Sequence, residues 1–128
     1  VSINSCVQID LMGQAASETV GYTQISGVGG QVDFVRGAAM AKNGRSILAF
    51  PSTAAKGTVS KIVPLLDEGA AVTTSRNDVD YVITEYGIAK LSGKTLKQRA
   101  HALIEIAHPN FRDELKKVYE ERFHCSYE

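Results

Sequence analysis

The segment "SGVGGQVDF", Ser26–Phe34, gives the strongest indication of the fold. It places three glycines within four residues (Gly27, Gly29 and Gly30), between the extended segment "YTQIS" and a segment with helical periodicity. Glycine loses more conformational freedom on folding than any other residue, so this cluster indicates an unusual backbone conformation or the close approach of another group. A glycine loop that leads from an extended segment into a helix favours an α/β domain.

Strand and helix patterns on both sides of this loop predict an α/β fold, with a mixed sheet flanked by helices. Strands are predicted for the segments Ser2–Asp10, "YTQIS", "RSILAF", "TVSKIVPLL", "AVTTS" and "DYVITEY". Helices are predicted for "QVDFVRGAAMA", after a T-x-x-Q capping box at Thr95–Gln98, and from Pro109 onward. The short links at Asp67–Ala70 and Arg76–Asp78 favour some antiparallel pairing, because parallel strands need long crossovers.

The helix after the glycine loop is predicted to end at "KNG", where Asn43 or Gly44 suits a left-handed backbone. Its apolar stripe is expected to contain four residues: Val32, Phe34, Val35 and Ala39. Pro64 places the strand that contains it at a sheet edge or a bulge.

Length and charge narrow the possible functions. The 128 residues suit one domain, residues 1–128. The 14 basic and 14 acidic residues give no net charge, which argues against a nucleic-acid partner. No apolar run approaches the roughly 20 residues that span a bilayer, so no membrane partner is expected. Cys6 and Cys125 form no disulfide framework, which favours the reducing cytoplasm. The sequence opens in an apolar stretch without Met, so we expect a fragment of a longer chain.

Successive backbone N–H groups in a glycine loop, followed by a helix N-terminus, can form a concave anion site. The loop lacks the lysine and Ser/Thr of a nucleotide-binding P-loop, because Gln31 and Val32 follow the glycines. It also lacks the G-x-G-x-x-G spacing, which weakens a dinucleotide-binding interpretation. Two interpretations stay open: an amide pocket for an oxyanion or carbonyl oxygen, and a tight loop that serves only packing.

Other residues that could take part in chemistry have simpler structural interpretations. The carboxylates Glu18, Asp33 and Glu85 lie near turns or element ends, where we expect structural roles. Glu18 would fit the first turn of a short helix, and Asp33 would pair with Arg36 three residues further on. The histidines His101, His108 and His124 lack metal-ligand spacing, so solvated or capping roles are expected and no metal or cofactor is predicted. Lys56 lies in a loop, where it is either solvated or able to meet a phosphate.

Four long segments resemble the acetyl-CoA hydrolase/transferase family: "INSCVQIDLMGQ", "ISGVGGQVDFVRGA", "FPSTAAKGTVSKIVP" and "VTTSRNDVDYVITEYGIAKLSGKTLKQRAHALIEIAHPNFRDEL". The resemblance runs in unbroken order from Val1 to about Phe123 and is to the C-terminal half of the family, most closely to its 4-hydroxybutyrate CoA-transferases. It implies a CoA-transferase-like open α/β domain, an active site between two halves, and acyl transfer through a glutamyl-CoA thioester.

The resemblance also assigns parts of the site. The family's nucleophilic glutamate lies upstream of these residues, and neither Glu18 nor Glu85 takes its place. An asparagine that helps to hold the oxyanion would lie just before Val1. A backbone N–H of Gly29 or Gly30 is expected to point at the thioester oxygen, Gly27 to complete the CoA-binding loop, and Lys56 to lie near CoA. The implied substrates are CoA thioesters, such as acetyl-CoA or 4-hydroxybutyryl-CoA, and short-chain carboxylates; coenzyme A is a substrate and not a cofactor.

Two alternatives stay open beside the transferase: an acyl-CoA hydrolase of the same family, and a non-catalytic CoA-binding module. The missing N-terminal half is an expected partner, and we expect a homo-oligomer. The glycine loop should face that half, with an apolar rim formed by Met12, Val28 and Phe34. Valine at Gly30 is expected to block the thioester and to resist a positive φ angle there.

Overall fold

The computed structural model describes all residues from Val1 to Glu128. It contains three helices, α1 (Gln31–Met40), α2 (Leu96–Glu105) and α3 (Pro109–Phe123). The strands are β1 (Ser2–Asn4), β2 (Gln8–Asp10), β3 (Ala15–Ala16), β4 (Thr19–Val20), β5 (Thr23–Gln24), β6 (Ser46–Ala49), β7 (Thr53–Ala54), β8 (Val59–Ser60), β9 (Ile62–Val63), β10 (Tyr81–Thr84) and β11 (Gly87–Lys90).

The main sheet is four-stranded, in the order β1-β6-β10-β11. β1, β6 and β10 are parallel, and β11 folds back antiparallel to β10. Helix α1 lies in the crossover from β1 to β6, and such a helical crossover is the usual connection between parallel strands. The crossover from β6 to β10 contains no helix and carries β7, β8 and β9 instead. The predicted α/β fold with a mixed sheet is therefore confirmed.

Three smaller sheets surround the main one. β2 lies between antiparallel β3 and parallel β9, while β4–β5 and β7–β8 form two hairpins. β9 is an edge strand that ends directly before Pro64, in agreement with the expected edge position.

Helices α2 and α3 form the hydrophobic core with one face of the main sheet. From that face Leu48, Val82 and Ala89 are buried with Leu103 and Ile104 of α2. The strands alternate, so the opposite face presents Ile3, Ile47, Ile83 and Ile88. Ile3 and Ile88 are 68% and 66% exposed, so within this chain that face is open to solvent.

Both predicted helix starts after residue 90 are confirmed. Thr95 and Gln98 form the reciprocal capping box of α2. Pro109 occupies the first turn of α3, and the Nδ1 atom of His108 accepts a hydrogen bond from the Asn110 N–H, which caps that helix. The expected capping role of a histidine is thus seen at His108.

The apolar stripe of α1 differs from the prediction. Val35 and Ala38 are the buried residues, whereas Ala39 and Phe34 are exposed. After the helix, Asn43 takes the left-handed conformation, with a φ angle of 57°. Helix α1 therefore buries a narrow strip and leaves its other faces free, because only β1 and β6 pack closely against it.

Several strand predictions were wrong in extent. Ser2–Asp10 is broken into β1 and β2, which belong to different sheets. "TVSKIVPLL" is likewise divided between β8 and β9, and "AVTTS" forms only an isolated bridge, from Thr74 to Ala15. β11 was missed. The two short links, Asp67–Ala70 and Arg76–Asp78, do not connect antiparallel strands. They are turns on either side of residues 71–75, which do not form a strand of any sheet.

Candidate active site

The glycine loop, residues 26–30, connects β5 to α1 at the surface of the domain. Residues 26–29 are exposed, and a side chain added at Gly27 or Gly29 would meet no atom within 4 Å. Gly29 has a φ angle of 62°, a left-handed conformation that suits glycine. Gly30 has a φ angle of −105°, so the expectation of a positive φ at Gly30 was wrong; that requirement lies at Gly29.

The N–H groups of this loop have no partner within the chain. None of the N–H groups of residues 27–30 donates a hydrogen bond, and those of residues 31–33 are free as well, as in the first turn of any helix. A row of free donors at a helix N-terminus attracts a negatively charged or strongly polarised oxygen. An approaching carbonyl or anionic oxygen would therefore meet donors that have no partner in this chain.

The loop lies at the carboxyl edge of the parallel strands. The Gln31 side-chain nitrogen donates to the Ser5 carbonyl oxygen, just after β1, at 2.8 Å. At the same edge the Ser52 N–H, after β6, donates at 2.8 Å to Oε1 of Glu85, just after β10. Ligands of open α/β sheets bind at this edge. The fold therefore places the glycine loop where a ligand site is expected.

Glu85 joins two strand ends rather than standing free for chemistry. Partial desolvation has the largest single effect and raises the pKa of its carboxyl, but the hydrogen bonds from the backbone N–H groups of Ser52 and of Glu85 itself, with smaller contributions, together outweigh it, and the pKa is lowered. A carboxylate that already accepts a backbone N–H is a weaker nucleophile. The expected structural role of Glu85 agrees with this geometry.

Lys56 lies at the tip of the β7–β8 hairpin, which follows β6 at the carboxyl edge. Ala55 and Lys56 both have left-handed backbones, with φ angles of 50° and 56°, and the Gly57 N–H closes the turn on the Ala54 carbonyl oxygen. Two successive positive φ angles define a type I′ turn, which normally selects Asn and Gly. An alanine and a lysine there carry a cost in backbone energy, while the lysine side chain is held outward in solvent.

The match to known proteins covers the same elements. Residues 1–119 match the family model described as the acetyl-CoA hydrolase/transferase C-terminal domain. The chain belongs to the acetyl-CoA hydrolase/transferase family. The resemblance inferred from the sequence is thereby confirmed.

Individual relatives in the family support the same assignment. The chain is 68% identical over 123 residues to a 4-hydroxybutyrate coenzyme A transferase of Clostridium kluyveri, covering 96% of this chain and 29% of that protein. The structure of RipA from Yersinia pestis superposes with a TM-score of 0.86 at 52% identity, over 96% of this chain and 27% of that one. A 4-hydroxybutyrate CoA-transferase structure from Porphyromonas gingivalis gives a TM-score of 0.77 at 55% identity, over 95% and 26%. This chain thus spans under a third of the length of these relatives.

Of the two remaining acidic candidates, Glu18 has structural partners and Asp33 has none. Glu18 is buried and precedes β4; it is not in a helix, and its two oxygens accept from Thr73 and Gln24. Asp33 is exposed in the first turn of α1. The expected Asp33–Arg36 pair was wrong, because Arg36 pairs with Asp78 instead.

The three histidines lie on α2 or at the two ends of α3, and both cysteines are free thiols. His101 stacks on the Tyr127 ring at 4.6 Å, and His124 ends α3. Burial raises the pKa of the Cys6 thiol to about 12, which keeps it protonated and unreactive. Nowhere do three or more His, Cys, Asp or Glu side chains come together as a metal site requires; the expected absence of a metal stays a prediction. None of the three helices combines the length and apolarity needed to traverse a membrane.

The expected apolar rim is present in part. Val28 and Phe34 are 58% and 65% exposed, and the Phe34 ring lies 3.5 Å from where a Cβ atom on Gly30 would be. Met12 lies in the turn that Asp10 organises, where the adjacent Gly13 packs near Leu91. Val28 and Phe34 therefore flank the loop, and Met12 belongs to a different turn.

The largest cavity of the domain is not at the glycine loop. It measures about 340 Å³ and is lined by Lys90, Lys94, Lys97, Gln98, His101, Ala102 and Tyr119. Lys90, which lines this cavity, pairs with Tyr81 at the start of β10. The cavity therefore lies at the edge of the sheet opposite to the carboxyl ends of the parallel strands. The glycine loop lines no cavity in this chain, so a closed site there needs atoms from outside it.

Sequence reasoning missed the polar side chains that hold the loop. Gln31, Thr73 and Thr74 bond the ends of the loop to neighbouring segments, as described below. The only sequence signal was a glutamine at the position where nucleotide-binding loops carry lysine, and a pair of threonines in a segment that looks like a strand.

Proposed function

We propose that this chain is the C-terminal domain, residues 1–128, of a two-domain CoA-transferase that moves CoA from a short-chain acyl-CoA to a carboxylate. The observation that carries the proposal is the row of unpartnered N–H groups at residues 27–30, exposed at the start of α1. Gly27, Gly29 and Gly30 form the oxyanion and CoA-binding loop. Family membership and relatives named CoA transferases support this assignment over a hydrolase or a non-catalytic module.

The reaction begins at the thioester carbonyl. A glutamate oxygen from the upstream half attacks the acyl carbon, and the carbonyl oxygen takes the negative charge. The N–H of Gly29 or Gly30 donates to that oxyanion; one such donor is typically worth about 10²–10³ in rate. When the C–S bond breaks, the CoA thiolate leaves and an acyl–glutamyl anhydride remains.

The thiolate then attacks the glutamyl carbon of the anhydride. This releases the first carboxylate and leaves a glutamyl-CoA thioester. The second carboxylate attacks that thioester, expels the thiolate and forms a new anhydride, and the thiolate finally attacks the new acyl carbon. The products are the new acyl-CoA and the regenerated glutamate, so no oxidant or metal takes part in the balance. An oxyanion forms at each addition, which gives the loop a role in every step.

Lys56 is proposed to bind a phosphate group of CoA. Its ammonium group is a compact point charge on a flexible stem, which suits phosphate oxygens. Lys56 is exposed in a left-handed turn, so its side chain is accessible to a ligand from solvent.

The N-terminal half of the longer protein is proposed to cover the loop and the open sheet face. Relatives have chains more than three times as long, and an oxyanion site needs low polarity around it. Val28 and Phe34 beside the loop, and Ile3 and Ile88 on the open face, offer apolar surface for that contact. The upstream asparagine belongs to the same junction. A homo-oligomer and a cytoplasmic location stay predictions.

The decisive experiment replaces Gly30 in the full-length protein by valine. Gly30 has a negative φ angle, so the substitution tests the space above the loop rather than backbone strain. We expect kcat/KM to fall by about 10² or more, with an unchanged circular dichroism spectrum. Gly37→Val, on the exposed side of α1 where a Cβ atom meets nothing, is the matched control and should retain activity.

The same assay separates the alternatives. When the acceptor carboxylate is left out, a transferase stops at the glutamyl-CoA thioester and releases no CoA thiol, whereas a hydrolase releases CoA thiol continuously. A folded Gly30→Val variant with full activity would reject the oxyanion role, and a full-length protein that binds CoA without turnover would favour the non-catalytic module.

A further inference from the structure

The glycine loop is held by its two ends and not by packing. Its residues are exposed, and two of its glycines have no neighbouring atoms within the reach of a Cβ. Hydrogen-bond donors contribute to catalysis only when they are already aimed at the position that the oxyanion will occupy. Something outside the loop must therefore fix its conformation.

Gln31 fixes the end of the loop that enters α1. Its side-chain oxygen accepts hydrogen bonds from Thr74 Oγ1 at 2.6 Å and from Ser17 Oγ at 3.0 Å. Its side-chain nitrogen donates to the Ser5 carbonyl oxygen at 2.8 Å. One amide thus bonds to three separate segments, and a carboxylate of the same shape could accept the first two bonds but could not donate the third.

Gln24 and Glu18 fix the end of the loop that leaves β5. The Gln24 side-chain nitrogen donates to the Ser26 carbonyl oxygen at 2.6 Å and to the Glu18 carboxylate at 2.7 Å. Thr73 Oγ1 donates to the other oxygen of Glu18 at 2.9 Å. Glu18 is 8% exposed and its bond from Thr73 is buried, so this bond is the strong part of the anchor, whereas the bond from Gln24 to Ser26 is exposed.

The two anchors meet on one dipeptide, Thr73–Thr74. Thr73 serves the Glu18 side, and Thr74, which is fully buried, serves Gln31. The two ends of the loop are therefore tied by hydrogen bonds to two adjacent buried residues, one end through Gln24 and Glu18 and the other through Gln31. A shift of either anchor would change the direction of the N–H groups between them without unfolding the domain.

We propose that Gln31 and Thr74 are positioning residues for the oxyanion loop, acting through the direction of its N–H groups; this inference rests on the proposed function. The pair sets the start of α1, and with it the donors at Gly29 and Gly30. Neither side chain touches the thioester. Their loss should lower kcat while the binding of CoA, which rests on contacts such as Lys56, is retained.

The test uses four variants of the full-length protein. Gln31→Glu removes only the donated bond, and Gln31→Ala removes all three. Thr74→Val removes the hydroxyl in a side chain of the same shape, and Thr74→Ser restores it. We expect kcat to fall about tenfold or more in the first three, because misaligned oxyanion donors lose part of their effect. KM for the acyl-CoA should stay within about threefold, and Thr74→Ser should recover most of the wild-type kcat.

Gln98→Ala is the matched control. Gln98 is also a glutamine in the first turn of a helix and also bonds a backbone group, but it lies in α2, away from the loop. It should lower the melting temperature without lowering kcat. The double variant Gln31→Ala/Thr74→Val should have the same kcat as Gln31→Ala alone, since Gln31→Ala already removes the bond that Thr74→Val deletes.

The outcomes separate the two proposals. If Gly30→Val abolishes transfer while the Gln31 and Thr74 variants keep kcat within about twofold, the positioning role is rejected and the proposed function stands. If those variants lower only the melting temperature, as Gln98→Ala does, their role is structural and the inference is again rejected. If Gly30→Val stays fully active, the oxyanion loop itself is rejected.

Discussion

Arg36 and Asp78 form a two-point ion pair: Nε and one terminal nitrogen of the guanidinium each lie 3.1 Å from a different carboxylate oxygen. The pair joins α1 to the turn before β10. The hydrogen bond from Arg36 lowers the pKa of Asp78, against a smaller effect of desolvation. Asp78 is less exposed than Arg36, so the surroundings of Asp78 hold the pair in place.

The lowered pKa fixes the sign of the pH dependence. A carboxyl whose folded pKa is below its unfolded value stabilises the protein above the unfolded value, near 4, and this contribution disappears as the pH falls through the folded pKa. In a double-mutant cycle with Arg36→Ala and Asp78→Asn, we expect a favourable coupling in the free energy of unfolding at pH 6 that is absent at pH 2.

A second cycle with Asp33→Asn is the control. Asp33 lies three residues before Arg36 on the same helix, but Arg36 makes no hydrogen bond to it. The coupling between Arg36 and Asp33 should be smaller than that with Asp78 at pH 6. Equal couplings would mean that the sequence-based pair also exists in solution and that the ion pair is not selective.

The contrast between these two acids illustrates what sequence can and cannot predict. Local rules found the capping box at Thr95, the proline that opens α3 and the glycine loop, because each depends on residues close together in the chain. The partner of Arg36 is 42 positions away, and no periodicity points to it. The same reason hid the bonds of Gln31 to Thr74.

The broken strands follow the same logic. The segment Ser2–Asp10 has the composition of a single strand, yet its two ends pair with β6 and β9, which lie in different sheets. A pattern along one chain cannot reveal which strand will pair with it, because cross-strand packing decides. The proposed location of the site came from the family resemblance, and the free N–H groups at residues 27–30 support the chemistry proposed for it.

Replacing Gly44 by alanine tests whether an added Cβ atom fits against the backbone of α1, rather than whether alanine can adopt the local backbone angles. A Cβ atom at Gly44 would lie 1.8 Å from the carbonyl oxygen of Ala38, which no real structure tolerates. We expect Gly44→Ala to destabilise the domain by at least about 1–3 kcal/mol, since the end of α1 must shift to make room. Chemical denaturation measures this change as a lower midpoint.

Gly37→Ala is the matched comparison, because Gly37 lies inside α1 and an added Cβ meets nothing within 4 Å. Alanine should stabilise the helix there by about 0.5–1 kcal/mol, since glycine is a poor helix former. The two glycine-to-alanine changes thus have opposite predicted signs. A neutral Gly44→Ala would show that the close approach of the 42–44 turn to α1 does not persist in solution.

Substitutions in the strained hairpin at Ala55 and Lys56 should change the stability of the protein and its binding of CoA independently. Glycine at either position relieves a left-handed conformation that costs about 1–2 kcal/mol for other residues, part of which is offset by the flexibility of unfolded glycine. We expect both Ala55→Gly and Lys56→Gly to leave stability unchanged or to raise it by up to about 1 kcal/mol.

Only Lys56→Gly should weaken CoA binding in the full-length protein. It removes the proposed phosphate contact, so KM for acyl-CoA should rise while kcat stays near the wild-type value. Ala55→Gly keeps the lysine and should leave KM unchanged. If both variants raise KM equally, the conformation of the hairpin matters and the lysine charge does not; if neither does, Lys56 is not a CoA ligand.

The isolated domain should have no CoA-transferase activity. The resemblance places the nucleophilic glutamate upstream, and the acids of this chain are otherwise engaged: Glu18 is buried between Thr73 and Gln24, and Glu85 accepts the Ser52 N–H. The open face of the main sheet and the exposed loop also leave water free to compete for the donors at residues 27–30, which weakens any oxyanion contact. The assay is CoA transfer from acetyl-CoA to 4-hydroxybutyrate by the purified 128-residue domain, with its fold checked by circular dichroism. Activity near that of an intact enzyme would mean that a carboxylate in this chain is the nucleophile, and Glu18→Gln and Glu85→Gln would then identify which one.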